Sequence, residues 1–179
     1  MDLLPGKDAA TRVTGIIHPK YQVHGYSVHL TVRSVSSVDP VGQLDFGGSE
    51  YRPAGKLAIA TRRLRAEDRY EWWELERGCY LIEFNETLEL AENEIALLEP
   101  DERLLRAGAV HAPIFLRGRI APVETLLQVE ALVVKVKQNA RISRVRIFRL
   151  AAPGAGFPAQ AKRLAGKPKT TQKKKRPRR

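Results

Sequence analysis

The chain has 179 residues, 43% of them hydrophobic, and a single cysteine, Cys79. It is long enough for one domain with a buried core, and one thiol excludes an internal disulfide and a cysteine-based zinc cluster, which points to an intracellular, cytoplasmic protein. The net charge of +11 is unevenly placed: residues 162–179 hold ten of the 31 basic residues and no acidic one, so the remainder is close to neutral.

Residues 1–13 read as a loose leader, without the basic and apolar regions of a signal peptide. No later run is long and apolar enough to cross a membrane. From Tyr21 to Val35 the pattern becomes strand-like, with Tyr26, Val28, Leu30 and Val32 alternating against Ser27, His29, Thr31 and Arg33. Turn signals follow at Asp39-Pro40, Gly42, Gly47-Gly48 and Pro53-Ala54-Gly55. Residues 57–76 suit either helix or strand; strand is preferred for Tyr70–Leu75, with Trp72 and Trp73 on opposite faces or at an edge. In Gly78–Glu86, Tyr80, Ile82 and Phe84 share one face. Leu126–Val136 and Ser143–Leu150 complete a series of short strands with little helix, which predicts an all-β barrel or sandwich over residues 14–150.

Composition changes after Leu150. Residues 151–161 read as a Pro/Gly linker. Residues 162–179 have almost nothing to bury and cannot offset their ordering entropy, which predicts a disordered basic tail. Lys173, Lys174, Lys175, Arg176, Arg178 and Arg179 form a polyanion-binding segment without aromatic residues, suited to phosphate contacts on nucleic acid rather than base readout. The alternative is a solubility tail.

Four phrases carry a family likeness: Tyr70-Glu71-Trp72-Trp73-Glu74-Leu75, Gly78-Cys79-Tyr80-Leu81-Ile82-Glu83-Phe84-Asn85-Glu86, Leu104-Leu105-Arg106-Ala107-Gly108-Ala109 and Asn139-Ala140-Arg141-Ile142. In their order and spacing the chain resembles the deoxyuridine triphosphatase (dUTPase) and dCTP deaminase superfamily, in particular its archaeal-type members. The resemblance covers residues 14 to 150 and implies a distorted jelly-roll barrel, a homotrimer, and nucleotide sites between subunits.

The resemblance also implies working groups that this chain replaces. Ser27 stands where the family has a magnesium-associated aspartate. Asp101, Glu102 and Arg103 stand for an arginine-serine-serine turn that binds phosphate, and carboxylates there would repel a phosphate. Pro113 stands for the water-activating aspartate, Phe115 and Leu116 for the glycine and tyrosine of the same hairpin, and Arg144 for a glutamine. The deaminase branch uses a glutamate at the position of Gln128, with Glu124 expected to precede that strand. No residue is therefore assigned a catalytic or metal-binding role, since neither proline nor glutamine can serve as a general base.

The remaining polar residues have bland readings. Asp101 and Glu102, with Glu99, read as a solvated acidic turn. His111 is structural rather than an acid–base partner of Glu124. His24 and His29 fall on opposite sides of a strand, which argues against a shared metal. Cys79 reads as a small buried residue, the tryptophans as packing, and Gly154-Ala155-Gly156-Phe157 as linker rather than a nucleotide-closing arm. The expected function is a catalytically degenerate dUTPase-like module that binds nucleotide or nucleic acid without a cofactor. The alternative is an active dUTP diphosphatase with a rearranged, magnesium-dependent site, in which Arg106, Arg141 and Arg144 would contact the triphosphate.

Overall fold

The computed structural model describes residues 1–38 and 41–151. Strand β1 (Asp2–Leu3) and helix α1 (Gly6–Ala10) open the chain, followed by β2 (Val13–Thr14), helix α2 (Pro19–Gln22) and the hairpin of β3 (Val23–His24) and β4 (Ser27–Val38). β5 (Lys56–Ala58), β6 (Trp72–Phe84), β7 (Thr87–Glu89) and β8 (Glu94–Pro100) lead to helix α3 (Glu102–Arg106). Three short strands follow, β9 (Ala109–Val110), β10 (Ile114–Leu116) and β11 (Arg119–Ile120), and then two long ones, β12 (Glu124–Lys137) and β13 (Arg141–Arg149). Among the described residues, no helix is long and apolar enough to cross a membrane.

Ten strands form one curled sheet in the order β10-β8-β13-β4-β6-β12-β9, with β1 on β13 and both β3 and β5 on β4. β11, β7 and β2 form a second, three-stranded sheet. The two ends of the large sheet, β10 and β9, are separated in sequence only by His111, Ala112 and Pro113. Such a link reaches at most roughly 14 Å, so it draws the two edges together and shapes the barrel. The expected all-β, distorted jelly-roll barrel is the architecture that forms. Its core includes Val28, Leu30, Leu75, Ile82, Phe84, Leu98, Leu127, Val145 and Ile147.

β4 is the hinge of this arrangement. Its first part pairs with β13 (Val28↔Val145, Leu30↔Ser143) and its second with β6 (Val32↔Phe84, Val35↔Ile82). The alternation read from the sequence holds for Val28, Leu30 and Val32, all fully buried, but breaks at the crossing, where Thr31 is buried too. Thr31 and Val32 bond outside the simple ladder. Asn85 N donates to Thr31 O (2.9 Å), Thr31 N to Glu86 Oε2 (2.8 Å), and Val32 exchanges bonds with Ala140 and Asn139 (3.0 Å each). A strand that changes partner leaves backbone groups that must be satisfied, and these loops satisfy them.

The N-terminal reading needs correction. Residues 1–13 are not a loose leader: β1 pairs with β13 (Leu3↔Phe148), and Leu4, Ala9 and Val13 belong to the core. Arg12 locks this segment down. Its Nε lies 2.8 Å from Glu94 Oε2 and its Nη2 3.1 Å from Oε1, while Ala91 N (3.1 Å) and Arg149 (3.4 Å) also donate to the same carboxylate. Within 21–35, Tyr21 and Gln22 end helix α2, and Tyr26 is 58% exposed. Tyr70–Leu75 becomes strand only from Trp72. The linker and tail readings for 152–179 lie outside the described residues.

Glu94 gives this anchoring an acid signature. The Arg12 guanidinium, opposed by burial and assisted by Ala91 N–H and Arg149, holds its carboxyl down to about 2 from the usual 4.5. A depressed carboxyl stabilises the fold above its unfolded value and loses that contribution as pH falls through the folded value. Stability followed by urea midpoint should therefore drop between about pH 4.5 and 2, and Glu94→Gln should lower the plateau near pH 6 while flattening that acid slope. An unchanged acid slope in the variant would contradict this role.

Candidate functional site

The turn at Pro100–Arg103 is a helix cap. Asp101 is the N-cap of α3, and its Oδ1 accepts from Arg103 N (3.0 Å) and Arg103 Nε (3.1 Å). Asp101 N donates to Ile142 O (2.8 Å), pinning the cap to β13. A β-region aspartate followed by a short helix is the arrangement that satisfies an orphan amide with a side-chain oxygen. Asp101 is only 7% exposed, and its Oδ2 lies 3.2 Å from His29 Nδ1, at ion-pair distance but without hydrogen-bond alignment.

Electrostatics at this cap are internally balanced. Burial pushes the Asp101 carboxyl up, but the Arg103 backbone N–H and guanidinium, together with His29, outweigh it and hold the carboxyl below its usual range. Burial lowers the His29 imidazole, and this outweighs the pull of Asp101; Arg141, His24 and Arg144 push in the same downward direction. His29 is therefore mainly neutral near pH 7.

Register collects the replaced positions around this cap. Arg144 sits opposite both His29 and Glu99. Its Nε donates to Glu99 Oε1 (2.6 Å), which also lies 3.1 Å from Arg146 Nη2. Arg103 Nη2 donates to Arg141 O (3.1 Å). Asp101, Arg103 and Arg144 thus share one end of the sheet, with Ser27 at the start of β4, paired with His24. Glu102 faces outward, its side chain 68% exposed and tied to Arg106. Only Glu102 behaves as the expected solvated acidic turn; Asp101 is buried and Glu99 is claimed by two arginines.

Pro113 and Gln128 meet elsewhere. Both line a cavity of about 460 Å³ with Cys79, Val110, His111 and Leu126. These two positions are where the resemblance expects proton-transferring carboxylates. The titratable histidine beside them is engaged: His111 Nε2 is 2.8 Å from Ser143 Oγ and Nδ1 is 2.9 Å from Ala112 O, and burial lowers its pKa. Leu116 ends β10, opposite Ala96.

Three arginines were expected to remain for phosphate. Arg106 is paired with Glu102 and Arg144 with Glu99, so their charges are offset. Arg141 instead donates to the carbonyl of Tyr21, which leaves its charge uncompensated by that bond. Among the described residues, no three His, Cys, Asp or Glu side chains gather to hold a metal. Magnesium does not suit the donor set at the cap, because Asp101 and Glu99 are each engaged by arginine.

Several local expectations change. His24 and His29 do not diverge: the β3–β4 turn brings their rings to 5.8 Å, because they lie on neighbouring strands rather than one. Cys79 is exposed. Glu124 lies within β12, where it pairs with Lys56 rather than with His111. Trp73 is buried and donates to Ile59 O (3.0 Å), whereas Trp72 lies under Lys137 (4.9 Å to the ring centroid). Sequence reasoning missed the cluster of buried Gln22, Thr31 and Glu86 with half-buried Asn85 and Asn139. Its signal lies in the Asn85-Glu86 and Asn139-Ala140 phrases, whose polar side chains supply the cluster.

The cap makes a separable prediction. Asp101→Ala should cost about 2 kcal/mol in denaturant-measured stability, through the lost cap and the unpaired partners. Asp101→Asn keeps an accepting oxygen and should cost less than half of that. Equal losses would mean that charge, not capping, is the main contribution.

No family model matches the chain. It is 28% identical over 131 residues to a protein of Methanosarcina acetivorans named probable deoxyuridine 5'-triphosphate nucleotidohydrolase, covering 72% of this chain and 73% of that one. A protein of the same name from Methanosarcina barkeri is 27% identical over 136 residues, covering 73% and 74%. The fold is similar to the crystal structure of 2'-deoxycytidine 5'-triphosphate deaminase from Agrobacterium tumefaciens, with a TM-score of 0.61 at 15% identity over 83% of this chain. The chain spans about half, 48%, of that deaminase. With the scaffold phrases set in a distorted jelly-roll barrel, the chain is similar in sequence to proteins named probable dUTPases and in fold to a dCTP deaminase.

Proposed function

We propose that this protein is a non-hydrolytic member of its superfamily, a module that binds nucleotide or nucleic acid. One observation carries the proposal: the cavity at Pro113 and Gln128 has neither of the carboxylates that the resemblance expects there. Proline cannot take a proton from water, and glutamine cannot replace a glutamate in that step. The cap adds a second obstacle. Asp101 is held as an anion, and Arg103 and Arg144 are spent on internal carboxylates, so little positive charge is free for a triphosphate.

A second reading, dUTP hydrolysis to dUMP and pyrophosphate at a rearranged site, is favoured by the names of the Methanosarcina relatives, which support it more directly than they support a binding role. Pyrophosphate release from dUTP with magnesium separates the two. The expected result is no turnover above the blank for the full chain, and none gained by Glu102→Ser. Sustained magnesium-dependent release by the purified protein would establish the hydrolase instead.

A homotrimer in the cytoplasm is the expected form, carrying three basic C-termini whose weak attachments add in avidity. Removal of residues 162–179, leaving a chain that ends at Ala161, should weaken binding to DNA or RNA at least tenfold at low salt and reduce the salt slope. Unchanged affinity and slope would eliminate the tail as a polyanion contact.

A further inference from the structure

We infer that the groove between helix α2 and the β12–β13 turn is a base-stacking site for a nucleotide unit whose phosphate is held by Arg141. This deepens the binding function proposed above and rests on it. The groove encloses about 320 Å³, and its walls include Ile17, His18, Tyr21, Tyr70, Gln138 and Arg141. Its size lies at the small end of ligand pockets. Ser27, Asp101, Glu102, Arg103, Pro113, Leu116 and Arg144 do not line it. Of the positions assigned to the hydrolytic alternative, it shares Arg141 alone.

Three features point to this ligand chemistry. The first is exposed aromatic surface: Tyr21 is 51% and Tyr70 37% exposed, and the His18 ring stands edge-on to Tyr21 at 4.8 Å. Exposed rings at a groove offer faces on which any base can stack. The second is cations beside those rings. Lys20 Nζ lies 5.8 Å from the Tyr21 centroid and the Arg69 guanidinium 5.4 Å from the Tyr70 centroid. Arg141 borders the same space, bonded to a carbonyl rather than a carboxylate. Aromatic faces interleaved with uncompensated cations are the combination that tracks a phosphodiester strand.

The third feature is a rigid, satisfied floor. Gln22 is 1% exposed; its Oε1 accepts from His18 N (2.7 Å), and its Nε2 donates to His29 O (3.0 Å) and Glu86 Oε1 (2.6 Å). Thr31 donates to the same Glu86 oxygen (2.6 Å), and Asn85 Nδ2 bridges Thr31 Oγ1 (3.0 Å) and Asn139 Oδ1 (2.9 Å). Glu86 is fully buried beneath this network, so its charge is not presented to a phosphate. A floor whose polar groups are already paired leaves stacking and the rim charge to hold the ligand, which predicts weak base selectivity.

The ligand could be a free mononucleotide or one unit of a single strand, and the test separates them. Fluorescence anisotropy with a labelled 15-nucleotide oligo-dT, and competition by dTMP, are measured on the full chain and on the chain ending at Ala161. Tyr21→Ala and Tyr70→Ala, each at a half-exposed ring, should weaken oligonucleotide binding to the shorter chain about tenfold while keeping its thermal midpoint, and Tyr70→Phe should restore it. Arg141→Gln should reduce the salt slope by about one. Ultraviolet cross-linking should attach the oligonucleotide to peptides containing Tyr21 or Tyr70. Competition by dTMP at micromolar concentration would identify a free nucleotide as the ligand; binding of the strand alone would identify single-stranded nucleic acid. Affinity unchanged in both alanine variants, or cross-links confined to other peptides, would overturn this site while leaving the binding function standing. Absence of binding by every probe to the full chain would overturn both.

Discussion

The fold depends on how β4 changes partners. A strand of twelve residues that leaves β13 for β6 in mid-course cannot keep a regular ladder through the change. Thr31 and Val32 stand at that point, buried, with backbone groups that hydrocarbon neighbours cannot satisfy. Asn85, Glu86 and Asn139 reach in from two different turns to satisfy them, and Gln22 closes the cluster from α2. Asn139 adopts a positive φ of 61°, a conformation asparagine tolerates better than most side-chain-bearing residues. Burial pushes the Glu86 carboxyl up, and the bonds from Thr31 and Gln22 oppose that push. The cluster joins four parts of the chain through groups that would be costly to leave unpaired, so it fixes the path of the barrel.

The same logic explains the turn at Asp101. A helix N-terminus ordinarily offers free N–H groups and positive potential to an anion. Here an aspartate of the chain itself takes that place, bound by the Arg103 N–H and guanidinium, while its own N–H donates to the Ile142 carbonyl. Next to it Glu99 binds Arg144 and Arg146. The outcome is a belt of internal ion pairs at the end of the sheet. Removing Glu99 would leave two partly buried arginines without their carboxylate, which is the larger energetic effect of such pairs. Charge at this end is paired within the chain, while Arg141, bonded to a carbonyl, lies at the α2 groove.

Much of the fold was legible because period and turn residues report on burial. Val28, Leu30 and Val32 alternate with exposed or half-exposed neighbours until Thr31 intervenes, and Ile82 and Phe84 share the core as their spacing implies. The N-terminal segment was not legible. Leu4, Ala9 and Val13 are too few and too irregularly spaced to show a period, and only the long-range ties to Ile147 and Glu94 give them a place. The histidines failed for a related reason: strand parity assigns faces within one strand, and the Gly25-Tyr26 turn puts His24 and His29 on two. At the candidate site, the substituted positions could be named from the sequence, but their pairing could not. Whether Asp101 faced solvent or capped α3 depended on β13 lying alongside, a contact 41 residues away in sequence.

The family likeness takes on physical meaning once the retained phrases are sorted by what they hold. Asn85-Glu86 and Asn139-Ala140 hold backbone at the β4 crossing, and Trp73 holds the Ile59 carbonyl. Gly108 adopts φ +84°, and a Cβ there would come within 2.6 Å of the Ala131 side chain, so only glycine fits the approach of that turn to β12. These residues are needed for the barrel whatever it binds. The barrel tolerates the residues at the replaced positions because the polar groups there find partners. Asp101 finds Arg103, and Arg144 finds Glu99. Identity near 28% in a chain of this kind therefore reports the shared scaffold, and function has to be argued from the groups that line its cavities.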